Sequence, residues 1–124
     1  MTRKLEVVVV DDEEQITELL KTFMLYINKE IQIHEFNDSV AAKEFIDHNP
    51  VDVIITDYKM PGFDGMQLLE SAPPHVKKIV ISGDDSWIDH KKLTSLNALF
   101  FEKPVPLRTL AKVITEVQER IREP

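Results

Sequence analysis

The sequence predicts an α/β protein in which helices cover both faces of a five-stranded parallel sheet, a doubly wound (βα)5 arrangement. Short apolar runs rich in β-branched residues alternate with segments of helical periodicity. The connections between these segments are short, as they are in successive βα units. With 124 residues the chain is long enough to close one core, and we expect residues 1–124 to form a single domain.

The first two strand–helix units occupy about the first 50 residues. Four consecutive valines at residues 7–10 form the first strand, and a partly alternating run at residues 31–36 is typical of an edge strand. Asn-Asp-Ser at residues 37–39 provides N-cap chemistry for the second helix. The side chains expected to face inward are Ile16, Leu19, Leu20, Phe23 and Ile27 in the first helix and Ala41, Ala42, Phe45 and Ile46 in the second.

The remaining three units follow the same order. The third strand ends at Asp57, and the turn after it carries Asp64 and Gln67 at the spacing of a capping box. The fourth strand ends at Ser82 and precedes a helix that we expect from about residue 87 to 96. The fifth strand precedes the last helix, which has the clearest apolar stripe: Leu107, Leu110, Ala111, Ile114, Val117 and Ile121.

Composition excludes several classes of protein. The formal net charge of −7 argues against a general nucleic-acid-binding surface, because phosphate contacts need clustered Lys and Arg. The absence of cysteine excludes disulfides and thiolate metal sites, and it fits a reducing compartment. No apolar stretch approaches the roughly 20 residues of a membrane helix, and no segment resembles a signal peptide. We therefore expect a cytoplasmic protein.

Three carboxylates follow strands of the predicted sheet. Asp11 and Asp12 come directly after the first strand, and Asp57 ends the third. The carboxyl ends of parallel strands share one edge, so these side chains are expected to meet there. Three carboxylates repel one another unless a proton or a cation intervenes, and an oxygen-only ligand set favours Mg²⁺ and a nearby phosphoryl group. The alternative, that Asp11 and Asp12 only cap the next helix, leaves Asp57 unexplained.

Two more polar side chains are expected at this edge of the sheet. Lys103 follows the fifth strand, where it would form a structural salt bridge or contact a phosphoryl oxygen. Ser82 precedes Gly83, and a hydroxyl beside a residue without a side chain suits the close approach of an anion. Ser-Gly is also common in ordinary turns.

These motifs together resemble the receiver domain of bacterial two-component response regulators, including the chemotaxis regulators. The segments that carry the resemblance are VVDDE at residues 9–13, ITDYKMPG at 55–62, ISG at 81–83 and KP at 103–104. They cover essentially the whole chain, in order and at suitable spacing. The resemblance implies a flavodoxin-like receiver fold and a phosphoacceptor switch. It implies no turnover enzyme, only self-phosphorylation from small phosphodonors and autodephosphorylation at most.

The resemblance also assigns roles to individual residues. Asp57 would accept a phosphoryl group from the phosphohistidine of a sensor histidine kinase or of a histidine phosphotransfer domain. Asp12, Asp57 and the backbone carbonyl of Lys59 would hold Mg²⁺, and Asp11 would join through a water molecule. Lys103 would contact the phosphoryl group, and Ser82 would donate a hydrogen bond to it.

A conformational switch is implied as well. Phosphorylation of Asp57 would draw Ser82 inward and let Phe100 move from an exposed to a buried position. This movement would change the surface formed by the fourth helix, fifth strand and last helix, where a homodimer is possible. Alternatively, Phe100 is simply a good strand residue. The chain departs from the common family pattern by having Ser82 for Thr, Phe100 for Tyr and Asn97 for Gly, although Asn tolerates a left-handed backbone.

Two rival functions and one tuning hypothesis accompany this interpretation. A hydrolase of the haloacid-dehalogenase type also forms an aspartyl-phosphate, but residues 11–13 lack its Asp-x-Asp spacing and the chain has no cap domain. A docking module that works without phosphate would be expected to lack an acid or the lysine, and none is missing.

Lys59 and Asp84 are expected to flank the phosphoryl group, where an ion pair between them would slow the loss of that group. The alternative is two unrelated surface charges. Trp87 would anchor a partner or cover the sheet.

Overall fold

A computed structural model describes residues 3–83 and 88–122 of the chain. Strands and helices alternate strictly throughout these residues. The strands are β1 (Leu5–Val10), β2 (Ile31–Phe36), β3 (Val53–Asp57), β4 (Lys77–Ser82) and β5 (Ala98–Glu102). The helices are α1 (Glu14–Ile27), α2 (Ser39–His48), α3 (Gly65–Glu70), α4 (His90–Ser95) and α5 (Leu107–Arg122). The predicted (βα)5 order is confirmed.

The five strands form one parallel sheet in the order β2-β1-β3-β4-β5. The chain moves outward from β1 to β2 and then returns to the other side of β1 to form β3. The strand order therefore reverses between β1 and β3, and ligands of such sheets bind outside the carboxyl ends of the strands at that point. Val10 pairs with Thr56 in the register of these two strands, so that the residues that follow, Asp11 and Asp57, lie side by side.

Both faces of the sheet are buried, which explains why the strands are apolar runs with little alternation. In β1, Leu5, Val7 and Val9 face α1 and α5, whereas Val8 and Val10 face α2 and α3. The helices that cover the first face contribute Leu20, Met24, Leu110, Val113, Ile114 and Val117. Those covering the second contribute Ala42, Ile46, Met66, Leu68, Leu69 and Leu93. The predicted apolar stripe of the last helix thus largely matches the buried face of α5.

The predicted inward face of α1 is wrong at two positions. Leu19 and Ile27 are 45% and 43% exposed, whereas Thr17 and Met24 are buried. Apolar side chains lie at the flanks of the packing face as well as at its centre, and helical periodicity does not separate the two. In α2, Ala41 is likewise exposed although we predicted it to face inward.

The helix ends follow from local hydrogen bonding. The capping box of α3 is confirmed. The backbone N–H of Gln67 donates to the Asp64 carboxylate at 2.8 Å, and the backbone N–H of Asp64 donates to the side-chain oxygen of Gln67 at 2.9 Å. The fourth helix is shorter than predicted, because Asp89 caps it and α4 begins only at His90. Asn97 has a φ of 55°, as expected for its left-handed backbone.

No helix among the described residues combines the length and the apolar character needed to span a membrane.

Candidate functional site

Three aspartates converge at the carboxyl edge of the sheet. Asp11 follows β1 and is buried, Asp12 is exposed, and Asp57 at the end of β3 is partly buried. One carboxylate oxygen from each lies within 4.8 Å of the others. The structure therefore brings together the three acids that the sequence places at strand ends.

Lys103 joins this cluster from the end of β5. Its Nζ lies 3.3 Å from Asp11 Oδ2 and 3.5 Å from Asp57 Oδ2, so that it bridges the two carboxylates. The backbone N–H of Lys103 donates to the carbonyl of Ser82 at 2.9 Å, which extends the pairing of β4 and β5 to this point. The lysine thus reaches Asp57 from two strands away and Asp11 from three, because the sheet holds its backbone in register.

Backbone amides orient the two inner carboxylates. The Glu13 amide donates to Asp11 Oδ1, and the Tyr58 amide donates to Asp57 Oδ1, each at 2.9 Å. The other oxygen of each aspartate is left to face Lys103. The N-cap of α1 is Glu13, so the alternative in which Asp11 or Asp12 serves as the helix cap does not hold.

Electrostatics disfavour the ionised acids. Burial raises the pKa of Asp57, and the neighbouring charge of Asp11 raises it further, against the opposing effects of Lys103 and the Tyr58 amide. Burial also raises the pKa of Asp11. For Lys103, burial alone would lower the pKa, but the two carboxylates raise it above its usual value. The positive charge of Lys103 therefore does not offset the effects of burial and repulsion on the pKa values of Asp11 and Asp57.

The charge and chemistry of this donor set fit a divalent oxygen-seeking cation. Three ionised carboxylates and one ammonium leave a formal charge of −2 at the cluster. All the side-chain donors of the cluster are oxygens, the ligand type that Mg²⁺ prefers. A cation of charge +2 would balance the site that Lys103 alone leaves negative.

An open cavity of about 320 Å³ lies beside the cluster. Its lining includes Asp57, Lys59, Ser82, Gly83 and Lys103. Ser82 is buried at the end of β4. The space beside Gly83 is open enough that a Cβ at this position would lie 4.0 Å from the side chain of Lys103. A second cavity, of about 400 Å³, lies at the opposite edge of the sheet, away from the acids.

Gly65 is a structural requirement of the site that sequence analysis missed. Its backbone N–H donates to the Tyr58 carbonyl at 2.7 Å, and a Cβ at this position would lie 2.3 Å from the carbonyl oxygen of Asp57. The start of α3 therefore packs directly against the backbone of Asp57. The signal in the sequence is the glycine directly after the cap residue Asp64.

The other predicted residues lie at the margin of the site. Phe100 is half-buried in β5 and makes an edge-to-face contact with the His90 ring of α4, with centroids 5.9 Å apart. Lys59 is exposed and lines the cavity. Asp84 and Trp87 fall outside the described residues.

The response regulator receiver domain family matches residues 7–115, which is most of the chain. The chain belongs to this family. The predicted family is therefore confirmed. Receiver domains are signalling phosphoacceptor domains of two-component systems and not classical enzymes. The match favours this interpretation over the hydrolase of the haloacid-dehalogenase type.

The chain is similar in sequence to part of two longer regulatory proteins. It is 32% identical over 119 residues to the regulatory protein VanRc of Enterococcus gallinarum. This alignment covers 91% of the chain and 50% of that protein. It is 30% identical over 113 residues to the cyclic di-GMP phosphodiesterase response regulator RpfG of Xanthomonas campestris, covering 86% of the chain and 30% of that protein. The receiver domain thus spans half or less of the length of these two relatives.

The fold comparison agrees with the observed topology. A CheY-like response regulator receiver domain from Methanospirillum hungatei JF-1 superposes with a TM-score of 0.84 at 23% identity. The superposition covers 96% of this chain and 97% of that one. The predicted flavodoxin-like receiver fold is therefore confirmed.

Proposed function

We propose that this receiver domain accepts a phosphoryl group on Asp57 in an Mg²⁺-dependent transfer. The donor is the phosphohistidine of a sensor histidine kinase or of a histidine phosphotransfer domain. The observation that carries the proposal is the position of Asp57, which lines the open cavity while its carboxylate also belongs to the acid cluster and lies 3.5 Å from Lys103. We propose as well that residues 1–124 form one receiver domain.

Asp57 has the surroundings of a carboxylate nucleophile. Its Oδ1 is held by the Tyr58 amide, so the side chain has a fixed orientation toward the cavity. As the new oxygen–phosphorus bond forms, the phosphorus–nitrogen bond to the donor imidazole breaks, and negative charge spreads over three equatorial oxygens. The ammonium of Lys103 neutralises part of this charge, and its raised pKa keeps it protonated. The Ser82 hydroxyl donates a hydrogen bond to another of these oxygens.

The aspartates and one carbonyl would hold the metal. When bound, Mg²⁺ supplies charge neutralisation to the phosphoryl oxygens. Asp12 and Asp57, with the carbonyl of Lys59, are the proposed direct ligands. Asp11 Oδ1 accepts from the Glu13 amide and Oδ2 faces Lys103, and Asp11 is proposed to contribute through a water molecule.

The proposed output is a change at the surface formed by α4, β5 and α5. Phe100 pairs with Val80 in the sheet register and touches His90 of α4, so it connects the strand that ends at Ser82 with this surface. Movement of Ser82 toward a phosphoryl group would alter the space available to Phe100. Phosphorylation would then shift the population between two packings of this surface, which also serves as the proposed homodimer interface.

Intact mass spectrometry after incubation with acetyl phosphate and Mg²⁺ tests the proposal. The wild-type chain is expected to gain one phosphoryl mass, and neither Asp57→Asn nor the wild type with EDTA should gain it. Asp47→Asn is a matched control, because it removes an aspartate from the exposed side of α2, where Asp47 pairs with Lys43. An adduct that persists in Asp57→Asn would contradict the assignment. No adduct, together with no binding of beryllofluoride and Mg²⁺, would favour a docking module that works without phosphate.

The lifetime of the phosphorylated state is a separate proposal. Lys59 is exposed at the rim of the cavity, and we propose that it acts with Asp84 to slow the loss of the phosphoryl group. Phosphate release from the Lys59→Ala variant is therefore expected to be faster than from the wild type. Equal lifetimes would contradict the tuning role and support the alternative of unrelated surface charges.

A further inference from the structure

The segment that leads from β2 into the first residue of α2 contacts both of the loops that carry the candidate metal ligands. This segment, residues 37–39 with Ser39 as the first residue of α2, is called the clamp loop. Its side chains reach the β1–α1 loop, which carries Asp12, and the β3–α3 loop, which carries Lys59. None of its three residues belongs to the acid cluster itself.

Asn37 fixes the first of these loops. Its amide nitrogen donates to the backbone carbonyl of Asp11 and to the hydroxyl of Thr17, each at 2.9 Å. Thr17 is fully buried in α1, so the Asn37 amide is tied to the interior although Asn37 as a whole is exposed. The carbonyl that it holds belongs to the peptide that joins Asp11 to Asp12.

Ser39 fixes the second loop. Its hydroxyl donates to the Pro61 carbonyl at 2.6 Å and accepts from the Phe63 amide at 2.8 Å, and the side chain is buried. Between these partners lies Gly62, whose φ is +83° and whose Cβ, if present, would stand 2.8 Å from the Ser39 hydroxyl. The hydroxyl thus occupies the centre of a tight turn that begins directly after Met60, next to Lys59.

The clamp loop is itself anchored by the helix that it begins. Asp38 is the N-cap of α2, and its carboxylate accepts from the Val40 amide at 2.9 Å. The capping function therefore needs only Asp38, and the side chains of Asn37 and Ser39 remain for the neighbouring loops. The sequence pattern alone predicts N-cap chemistry for all three residues, and the structure leaves this role to Asp38.

We propose that Asn37 and Ser39 are positioning residues that preorganise the two ligand-bearing loops for Mg²⁺. Mg²⁺ demands near-ideal octahedral geometry, so loops that are already fixed bind it with less ordering cost. Residues that orient metal ligands in this way contribute to metal affinity without touching the ion. The proposal rests on the proposed function, because it requires that the acid cluster binds Mg²⁺.

Calorimetric titration of the metal-stripped full chain with Mg²⁺ tests the proposal. Asn37→Ala and Ser39→Ala are each expected to raise the Kd for Mg²⁺ about 2- to 10-fold, the effect of losing a modest net hydrogen bond. The double variant should show roughly the product of the two effects, because the side chains hold different loops. In EDTA, amide exchange should quicken at residues 12–13 in Asn37→Ala and at residues 62–63 in Ser39→Ala.

Two control variants separate positioning from general stability. Asn49→Ala removes a side-chain amide that donates to the Phe45 carbonyl, and Ser71→Ala removes a hydroxyl that donates to the Leu68 carbonyl. Both residues follow the ends of their helices, at the opposite edge of the sheet. Their Kd values should stay within about twofold of the wild type even where the melting temperature falls as much as in the clamp-loop variants.

The outcomes distinguish this proposal from the proposed function. If the wild type binds Mg²⁺ and the clamp-loop variants bind it equally well, the positioning role is wrong and the proposed function stands. Equal weakening in the controls would also overturn the positioning role. A wild type that does not bind Mg²⁺ would overturn both proposals.

Discussion

Replacing Asp57 by Asn is expected to stabilise the metal-free receiver domain, although it removes the proposed phosphoacceptor. The substitution changes little in shape, and the amide oxygen of Asn can still accept from the Tyr58 amide that Asp57 Oδ1 binds at 2.9 Å. What it removes is one negative charge from a partly buried cluster of acids. The sign of the effect depends on whether Lys103 compensates for that charge.

Repulsion from Asp11 offsets most, but not all, of the attraction from Lys103. Asp11 and Asp57 oxygens within 4.8 Å repel by about 3.5 kcal/mol at an effective dielectric constant of about 20. Lys103 at 3.5 Å attracts Asp57 by about 4.7 kcal/mol in the same approximation. Burial then decides the sign, since it is the main cause of the raised pKa of Asp57. We expect a net stabilisation of about 1 kcal/mol, which is about 4 °C in Tm for a domain of this size.

Scanning calorimetry in EDTA at neutral pH measures this effect. Asp47→Asn is the matched control, because it removes an exposed charge paired with Lys43 and is expected to leave Tm almost unchanged. Saturating Mg²⁺ should reverse the order, since the wild type is expected to gain stability from binding the ion and Asp57→Asn lacks one of the proposed ligands. A lower Tm for Asp57→Asn in EDTA would refute the reasoning, because it would mean that the attraction of Lys103 outweighs burial and repulsion.

The pH dependence provides a second check on the same reasoning. The native pKa values of Asp11 and Asp57 are raised, so the folded chain binds protons more tightly than the unfolded chain at these groups. Their contribution therefore increases stability as the pH falls from neutral through the raised native pKa values toward the ordinary value. In EDTA, this gain on mild acidification should be smaller in Asp57→Asn than in the wild type.

Three further predictions test other parts of the structure by thermal or urea unfolding. Gly65→Ala should lower the free energy of unfolding by at least about 2 kcal/mol through its clash with the Asp57 carbonyl, whereas Gly83→Ala, whose Cβ would make only an ordinary contact with Lys103 at 4.0 Å, should lower it far less. Asn97→Ala should lower the free energy of unfolding by about 1 kcal/mol, because Ala is strained at a φ of 55°, and Asn97→Gly should not lower it. Arg3→Ala should lose about 1 kcal/mol at neutral pH, because Asp52 accepts two hydrogen bonds from Arg3, and the loss should shrink as acid protonates Asp52. Burial alone would raise the pKa of Asp52, but Arg3 and the Glu6 amide lower it, so the wild type loses this contribution only as the pH falls through that lowered value.

The sequence was sufficient to predict the positions of residues that end strands or directly follow them. A parallel sheet places the carboxyl ends of its strands along one edge, so the positions of Asp11, Asp57, Ser82 and Lys103 follow from topology alone. The strands themselves could be identified because burial on both faces makes them continuous apolar runs. For these residues, correct strand assignment is enough to predict the site.

Contacts between loops could not be predicted in this way. The Asn37 amide reaches the Asp11 carbonyl, and the Ser39 hydroxyl sits inside the turn around Gly62, through local backbone geometry that no periodicity encodes. The face of α1 was misplaced for a related reason, since Leu19 lies at the flank of a packing surface whose exact rotation depends on the neighbouring elements.

Charge and geometry make separable contributions to the proposed metal site. The contacts that hold Asp11, Asp57 and Lys103 together also keep like charges close, which the raised pKa values of both aspartates express. Asp57→Asn relieves the repulsion and removes a proposed ligand, so stability in EDTA should rise while Mg²⁺ affinity falls. Asn37→Ala leaves every proposed ligand in place, so Mg²⁺ affinity should fall with no such gain in stability. Measuring both quantities for both variants therefore distinguishes a site limited by charge repulsion from one limited by loop positioning.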